Sequence, residues 1–119
     1  MNRSHRPFAV CLVVRMAEEN PTWGYTRIVG ALKNLARTWA EDLKGTGIRV
    51  NVLSPGATAT DLAKEALGEE GLKAYGSMTA LQRMGNPAEV GAAAAFLASS
   101  DSSFMTASEV AVDGGLAQI

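Results

Sequence analysis

The sequence is poor in the residues that staple small proteins or bind metals. A single cysteine, Cys11, excludes an internal disulfide, and a single histidine, His5, argues against a metal cluster, so no metal site is expected. No apolar run reaches the roughly 18 residues needed to span a membrane; Phe8–Val14 is stopped by Arg15. Arg3 and Arg6 precede that run, but no small-residue cleavage site follows it, so a secretory leader is rejected and a cytoplasmic protein is expected. Internal repeats and low-complexity linkers are also missing. Prolines number only four, and Pro21, Pro55 and Pro87 each read as an element boundary.

What remains is 119 residues, 47% of them hydrophobic, enough for one small domain that wants a core. The net charge of −1 conceals an asymmetry. Through Arg37, six bases face two acids, giving +4; beyond it, five bases face ten acids, giving −5. The split suggests two origins or two partners, although scattered surface charge gives the same count.

The chain is organised around Gly47–Asp61, GIRVNVLSPGATATD. Ile48, Val50 and Val52 alternate with Arg49 and Asn51 up to Leu53, which predicts a buried strand. Ser54-Pro55-Gly56 should stop it, since proline cannot donate to a ladder. Thr60 or Asp61 then caps a helix carrying Leu62, Ala63, Ala66 and Leu67; Gly68 and Gly71 interrupt it, and a second short piece spans Leu72–Tyr75. Asn86-Pro87-Ala88-Glu89 supplies a cap, a proline at the first helical position and an acid two further on, with Val90, Ala93, Ala94 and Leu97 on one face. That helix ends in Ser99–Ser103, and Ser108–Val112 alternates into a last strand turned by Asp113-Gly114-Gly115. Ahead of the central strand, Ile28, Leu32, Leu35, Ala36, Trp39 and Leu43 fall on one helix face, closed by Gly45. Phe8–Val14 reads as strand by its β-branched content, or as the start of a helix ending at Asn20-Pro21 by its polar continuation; helix is the expectation. Cys11, Met78, Met84 and Met105 are expected to fill gaps in the packing.

Two resemblances follow. Asn51, Pro55-Gly56 and Thr60 match the N-x-x-x-P-G-x-x-x-T segment of short-chain dehydrogenases/reductases, and residues 34–119 continue at that family's spacing to its closing signature, where a glycine is usual in place of Ala107. Residues 19–35, ENPTWGYTRIVGALKNL, are similar to the E-N-P-x-W-G-Y-x-R-I-x-G-x-L segment of insertion-sequence transposases of the integrase type. The expected organisation is therefore a transposase-like helical segment at 1–33, its likeness covering about residues 9–35, fused within a helix to the C-terminal part of a reductase at 34–119.

The reductase resemblance implies an α/β, truncated Rossmann-like fold with two parallel strands and flanking helices. A third strand results if Phe8–Val14 pairs beside Ile48–Leu53 in a right-handed βαβ unit. It implies NAD or NADP, with Pro55, Gly56, Thr58 and Thr60 at the nicotinamide end. It places Tyr25 at the catalytic tyrosine, but Val29 stands where the family has lysine, and no serine lies between Ser4 and Ser54. Gly45-Thr46-Gly47 leads into a strand rather than a helix, the wrong context for a pyrophosphate-binding turn. The plainer alternatives are that Tyr25 packs beside Trp23 and that the Pro55–Thr60 loop merely ends a strand. The expectation is a reductase fragment unable to transfer hydride alone. It would associate with a second copy or a complementing chain through the long helix and the edge strand. The rival reading is a small DNA-associating module in which Arg27, Lys33 and Arg37 track phosphates; nucleic acid is the less favoured partner, and no membrane is expected.

Overall fold

The computed structural model describes residues 25–118. The expectations for residues 1–24, including Phe8–Val14, Cys11 and most of the transposase-like segment, lie outside the described residues. Three helices flank a two-stranded parallel sheet. In chain order these are α1 (Tyr25–Asp42), β1 (Val52–Pro55), α2 (Asp61–Ser77), α3 (Pro87–Ala98) and β2 (Glu109–Val112), with short 3-10 turns at Ser100–Ser102 and Leu116–Gln118. The truncated Rossmann-like α/β arrangement is the one expected.

Helix α1 keeps most of the anticipated face: Ala36 is buried and Ile28, Leu32, Leu35 and Leu43 are half-buried, but Trp39 is 41% exposed. Gly45 then takes a positive φ of 80°, and Thr46 donates back to the Leu43 carbonyl at 3.0 Å, ending the helix. Helices α1 and α3 both pack on the sheet. Ala36 is nonetheless the only apolar residue fully buried among the described ones. Two short strands cannot cover enough apolar surface by themselves.

Three expectations need correction. The central strand lies further along than Ile48–Leu53 and includes Pro55, which pairs opposite Val112. Proline is tolerated because the ladder bond at this end is made by the next residue: the Gly56 amide donates to the Val112 carbonyl at 3.0 Å. Secondly, Asp61–Ser77 is interrupted at Gly68 as expected (φ 64°, ψ −179°), two helical pieces meeting at a kink, but Gly71 does not break it, so the second piece is longer than Leu72–Tyr75. The turn across the kink is tight enough that a Cβ on Gly71 would lie 2.8 Å from the Leu67 Cβ, so a small residue is required there. Thirdly, Met78 is 57% exposed at the end of α2 and fills no gap; Met84 and Met105 are half-buried.

The start of α3 is as read. The Asn86 side chain accepts from the Ala88 amide at 2.9 Å while Glu89 reaches back to the Asn86 amide at 2.8 Å, a complete capping box.

Candidate active site

The loop that follows β1 is built by close approach. Gly56 sits against Asp113, at the carboxyl end of β2, and the Asp113 carboxylate receives the Gly115 amide at 2.8 Å and the Ala117 amide at 3.1 Å. Thr58 donates its hydroxyl to the Gly56 carbonyl at 2.9 Å and bridges in parallel to Gly85, through Gly85 N–H to Ala57 at 2.8 Å and Ala59 N–H to Gly85 at 2.8 Å. Thr60 caps α2, its hydroxyl accepting from the Ala63 amide at 3.1 Å. Between the sequence alternatives Thr60 and Asp61, the backbone selects Thr60, whose φ/ψ of −73°/162° lies outside the helix.

Pro55 thus ends β1, and Gly56, Thr58 and Thr60 lie on the loop that follows it. Thr60 also borders an open cleft of about 640 Å³, lined with Asp61, Lys64, Arg83, Asn86 and Pro87 among others. The cleft lies where α2 and α3 begin, beyond the carboxyl end of β1, the position at which open α/β sheets bind ligands. A smaller cavity of about 90 Å³ lies between Ala57, Leu81, Val90, Val112 and Gly114.

Lys64 and Asp61, both lining the cleft, pair at 3.3 Å, and two further ion pairs shift the carboxyl groups they hold. Arg83 grips Glu89 in a bidentate pair at 2.9 and 2.7 Å. The guanidinium, helped by the Asn86 amide, lowers the Glu89 carboxyl from 4.5 to about 2. Hydrogen bonding to Glu89 in turn raises Arg83 above its ordinary value. Lys33 of α1 pairs with Glu109 of β2, which also accepts from Ser54 Oγ at 2.9 Å, and Lys33 above all holds the Glu109 carboxyl below its usual range. Lys33, a base expected to track phosphates in the rival reading, is therefore engaged inside the fold.

Tyr25 is the first residue of α1, and its side chain lies outside the described ones. Val29, one helical turn later, is half-buried and cannot stabilise a phenolate. Among the described residues, no group of three or more His, Cys, Asp or Glu side chains could hold a metal ion, and no helix is long and apolar enough to cross a membrane.

Two structural residues were not legible beforehand. Arg49 donates to the carbonyls of Leu97 (2.8 Å), Ser99 (3.2 Å) and Met105 (3.1 Å), tying the end of α3 to the approach to β1. Asn51, noted only as a motif position, donates to the Met105 carbonyl at 3.0 Å and accepts from the Ser108 amide at 3.1 Å. An isolated arginine and asparagine on alternating strand positions gave no signal of these partners.

Comparison with known proteins decides the family. A family model described as enoyl-(acyl carrier protein) reductase matches residues 11–117, running through the segment that resembles a transposase. Solved structures agree. A short chain dehydrogenase family protein from Francisella tularensis superposes with a TM-score of 0.72 at 30% identity, covering 80% of this chain and 43% of that one. The chain belongs to the short-chain dehydrogenase/reductase family. An aldohexose dehydrogenase from Thermoplasma acidophilum, in a C-terminal deletion form, gives a TM-score of 0.73 at 31% identity over 80% of this chain and 45% of its own. Among curated relatives, the oxidoreductase asL5 of Sarocladium schorii is 68% identical over 89 residues, which are 75% of this chain and 36% of that protein. Galactitol 2-dehydrogenase (L-tagatose-forming) of Cereibacter sphaeroides is 41% identical over 92 residues, 76% of this chain and 36% of its own. The chain spans about a third of the length of these curated relatives.

Proposed function

We propose that these residues form the nicotinamide-facing, C-terminal part of an NAD(P)-dependent short-chain dehydrogenase/reductase, and that they do not transfer hydride unaided. The observation that carries this reading is the end of β1 and the loop Gly56–Thr60 after it, folded against Asp113 at Gly56 and opening onto a cleft at Thr60. When bound, a nicotinamide supplies or accepts the hydride. In this chain the Pro55–Gly56 backbone and the Thr58 and Thr60 hydroxyls would hold its carboxamide. That chemistry fits the donor set, since Thr60 still has its hydroxyl proton to give after accepting from Ala63. Nothing in the described residues offers the other half of the cofactor a glycine-rich turn at a helix N-terminus. Tyr25, as proton donor, has Val29 where a cation would be needed to lower its pKa.

A nucleotide-binding half supplied by another chain would complete the cleft, with α1 and the edge of the sheet as the contact surface. In this reading residues 1–33 are of transposase-like origin, fused to the reductase part within α1, consistent with the change in charge sign around Arg37. The substrate is a carbonyl or alcohol of unspecified class, as the relatives named above are oxidoreductases and dehydrogenases.

The test is a fluorescence titration of NADH and NADPH with the full chain. No saturation is expected up to millimolar cofactor, and binding should appear on adding the nucleotide-binding half of a related reductase. Thr60→Val should weaken that restored binding and Thr60→Ser should keep it. Saturable turnover by the unaccompanied chain, lost in Tyr25→Phe, overturns the reading.

A further inference from the structure

The cleft where α2 and α3 begin is lined by two cations and one carboxylate, Lys64, Arg83 and Asp61, together with the Asn86 amide. Bonds within the fold leave most of its donors unspent. Arg83 uses three of its five N–H groups: one bonds the Met84 carbonyl at 3.1 Å and two grip Glu89. Lys64 meets Asp61 at 3.3 Å, a pair that counts for little because Asp61 is fully exposed. Asn86 accepts through Oδ1 from the Ala88 amide, and its Nδ2 has no partner among the described residues. A wall with several free donors and a single carboxylate suits a ligand rich in acceptors. The donors are also held in place from behind. Thr79, 3% exposed, accepts from the Arg83 amide at 3.3 Å, and its Oγ1 lies 3.1 Å from the Arg83 carbonyl. Gln82, just ahead, is kept at a φ of 55°, which strains a residue carrying a Cβ. On the other wall, Gly85 is bonded to both Ala57 and Ala59, which fixes the approach to Thr60 and α2.

We propose that this cleft binds an anionic, oxygen-rich group, a carboxylate or a phosphate ester, between Lys64 of α2 and Arg83 of the connection to α3. Calling the bearer of that group the substrate rests on the reading above, in which Thr60 holds the nicotinamide carboxamide; the anion site itself stands on the donors just described. The substrate is then a carbonyl or alcohol that also carries a carboxylate or phosphate. Glu89 sets the affinity, because it occupies the same guanidinium. Binding therefore shares or exchanges one oxyanion for another at Arg83, and anything that removes the Glu89 charge favours the ligand.

The probe is glycerol 3-phosphate, titrated into the full chain and followed through the amide resonances of Lys64, Arg83 and Gly85, with glycerol and ADP as comparison ligands. Saturation at about 1–10 mM is expected for glycerol 3-phosphate and none for glycerol. Lys64→Gln should weaken binding about threefold, and Arg83→Gln more than about tenfold. Glu89→Gln keeps the reach to the Asn86 amide but frees the guanidinium, so it should tighten binding about two- to fivefold while lowering stability. A merely structural pair would not move those two readouts in opposite directions. Should Arg83→Gln fail to fold, Lys64→Gln and Glu89→Gln decide. Equal shifts with glycerol, no saturation, or binding unchanged or weakened in Glu89→Gln overturn the proposal. ADP binding more than about tenfold tighter than glycerol 3-phosphate assigns the cleft to the cofactor's own phosphates, and overturns the substrate class. No nicotinamide and no second chain takes part in this titration, so its failure leaves the reading of the Gly56–Thr60 loop standing, and a failure of that reading leaves the anion site standing.

Discussion

Gly56 lies so close to Asp113 that a Cβ built on it would stand 2.4 Å from the Asp113 Cβ and 2.5 Å from its Cα. The neighbour is backbone and the root of a side chain whose carboxylate is already fixed by two amides, so neither partner can yield cheaply. The proline–glycine motif is thus first a packing device that lets the two strand ends meet. Gly56→Ala should lower stability by about 1–3 kcal/mol, read as a reduced urea midpoint at unchanged slope. An unaltered midpoint would show that the two strand ends separate freely.

Arg49 holds three carbonyls from two segments with one planar guanidinium. Arg49→Met keeps most of the stem but leaves partly buried carbonyls without their donor, at about 1–3 kcal/mol. Arg49→Lys should recover only part of that loss, because an ammonium cannot present the fork. Denaturant midpoints of the three proteins check this, and full recovery by lysine contradicts it.

The Glu89 carboxyl, lowered from 4.5 to about 2, makes a pH prediction with a definite sign. A group whose pKa is depressed by folding contributes stability that is complete above the unfolded value and disappears as pH falls through the folded one. The stability difference between the natural chain and Glu89→Gln should be flat from pH 7 to pH 5 and shrink between about 4.5 and 2. Because both side chains are substantially exposed, added salt should reduce the difference at neutral pH. A difference that grows on acidification would exclude the pair as its source.

Ala107 takes a positive φ of 56°, where the resemblance would put glycine. Its amide still donates to Val50, so the strained residue cannot relax without losing the end of the ladder. Ala107→Gly should stabilise the chain by up to about 1 kcal/mol, the steric relief partly offset by a freer unfolded state. Comparing thermal midpoints of the two chains checks the sign.

The elements governed by neighbours in sequence were legible in advance. The cap, proline and acid of 86–89 define a helix start through bonds that span three residues, and the observed capping box uses those same groups. The Gly45 stop of α1, the last strand and the Thr60 cap are equally local. Misreadings arose where a distant partner mattered. Pro55 enters a strand because Gly56 meets Val112, more than fifty residues along the chain.

By itself the amino-acid order determined the periodicity, the caps and the proline–glycine motif, since each depends on groups within a turn or a strand of one another. Only the tertiary structure decided that Arg49 and Asn51 lock onto the 97–108 segment, that Lys33 pairs with Glu109, and that Gly56 is required by Asp113. Those partners are separated by roughly 50 to 75 residues, and no pattern along the chain encodes a contact made only when two strand ends close on each other.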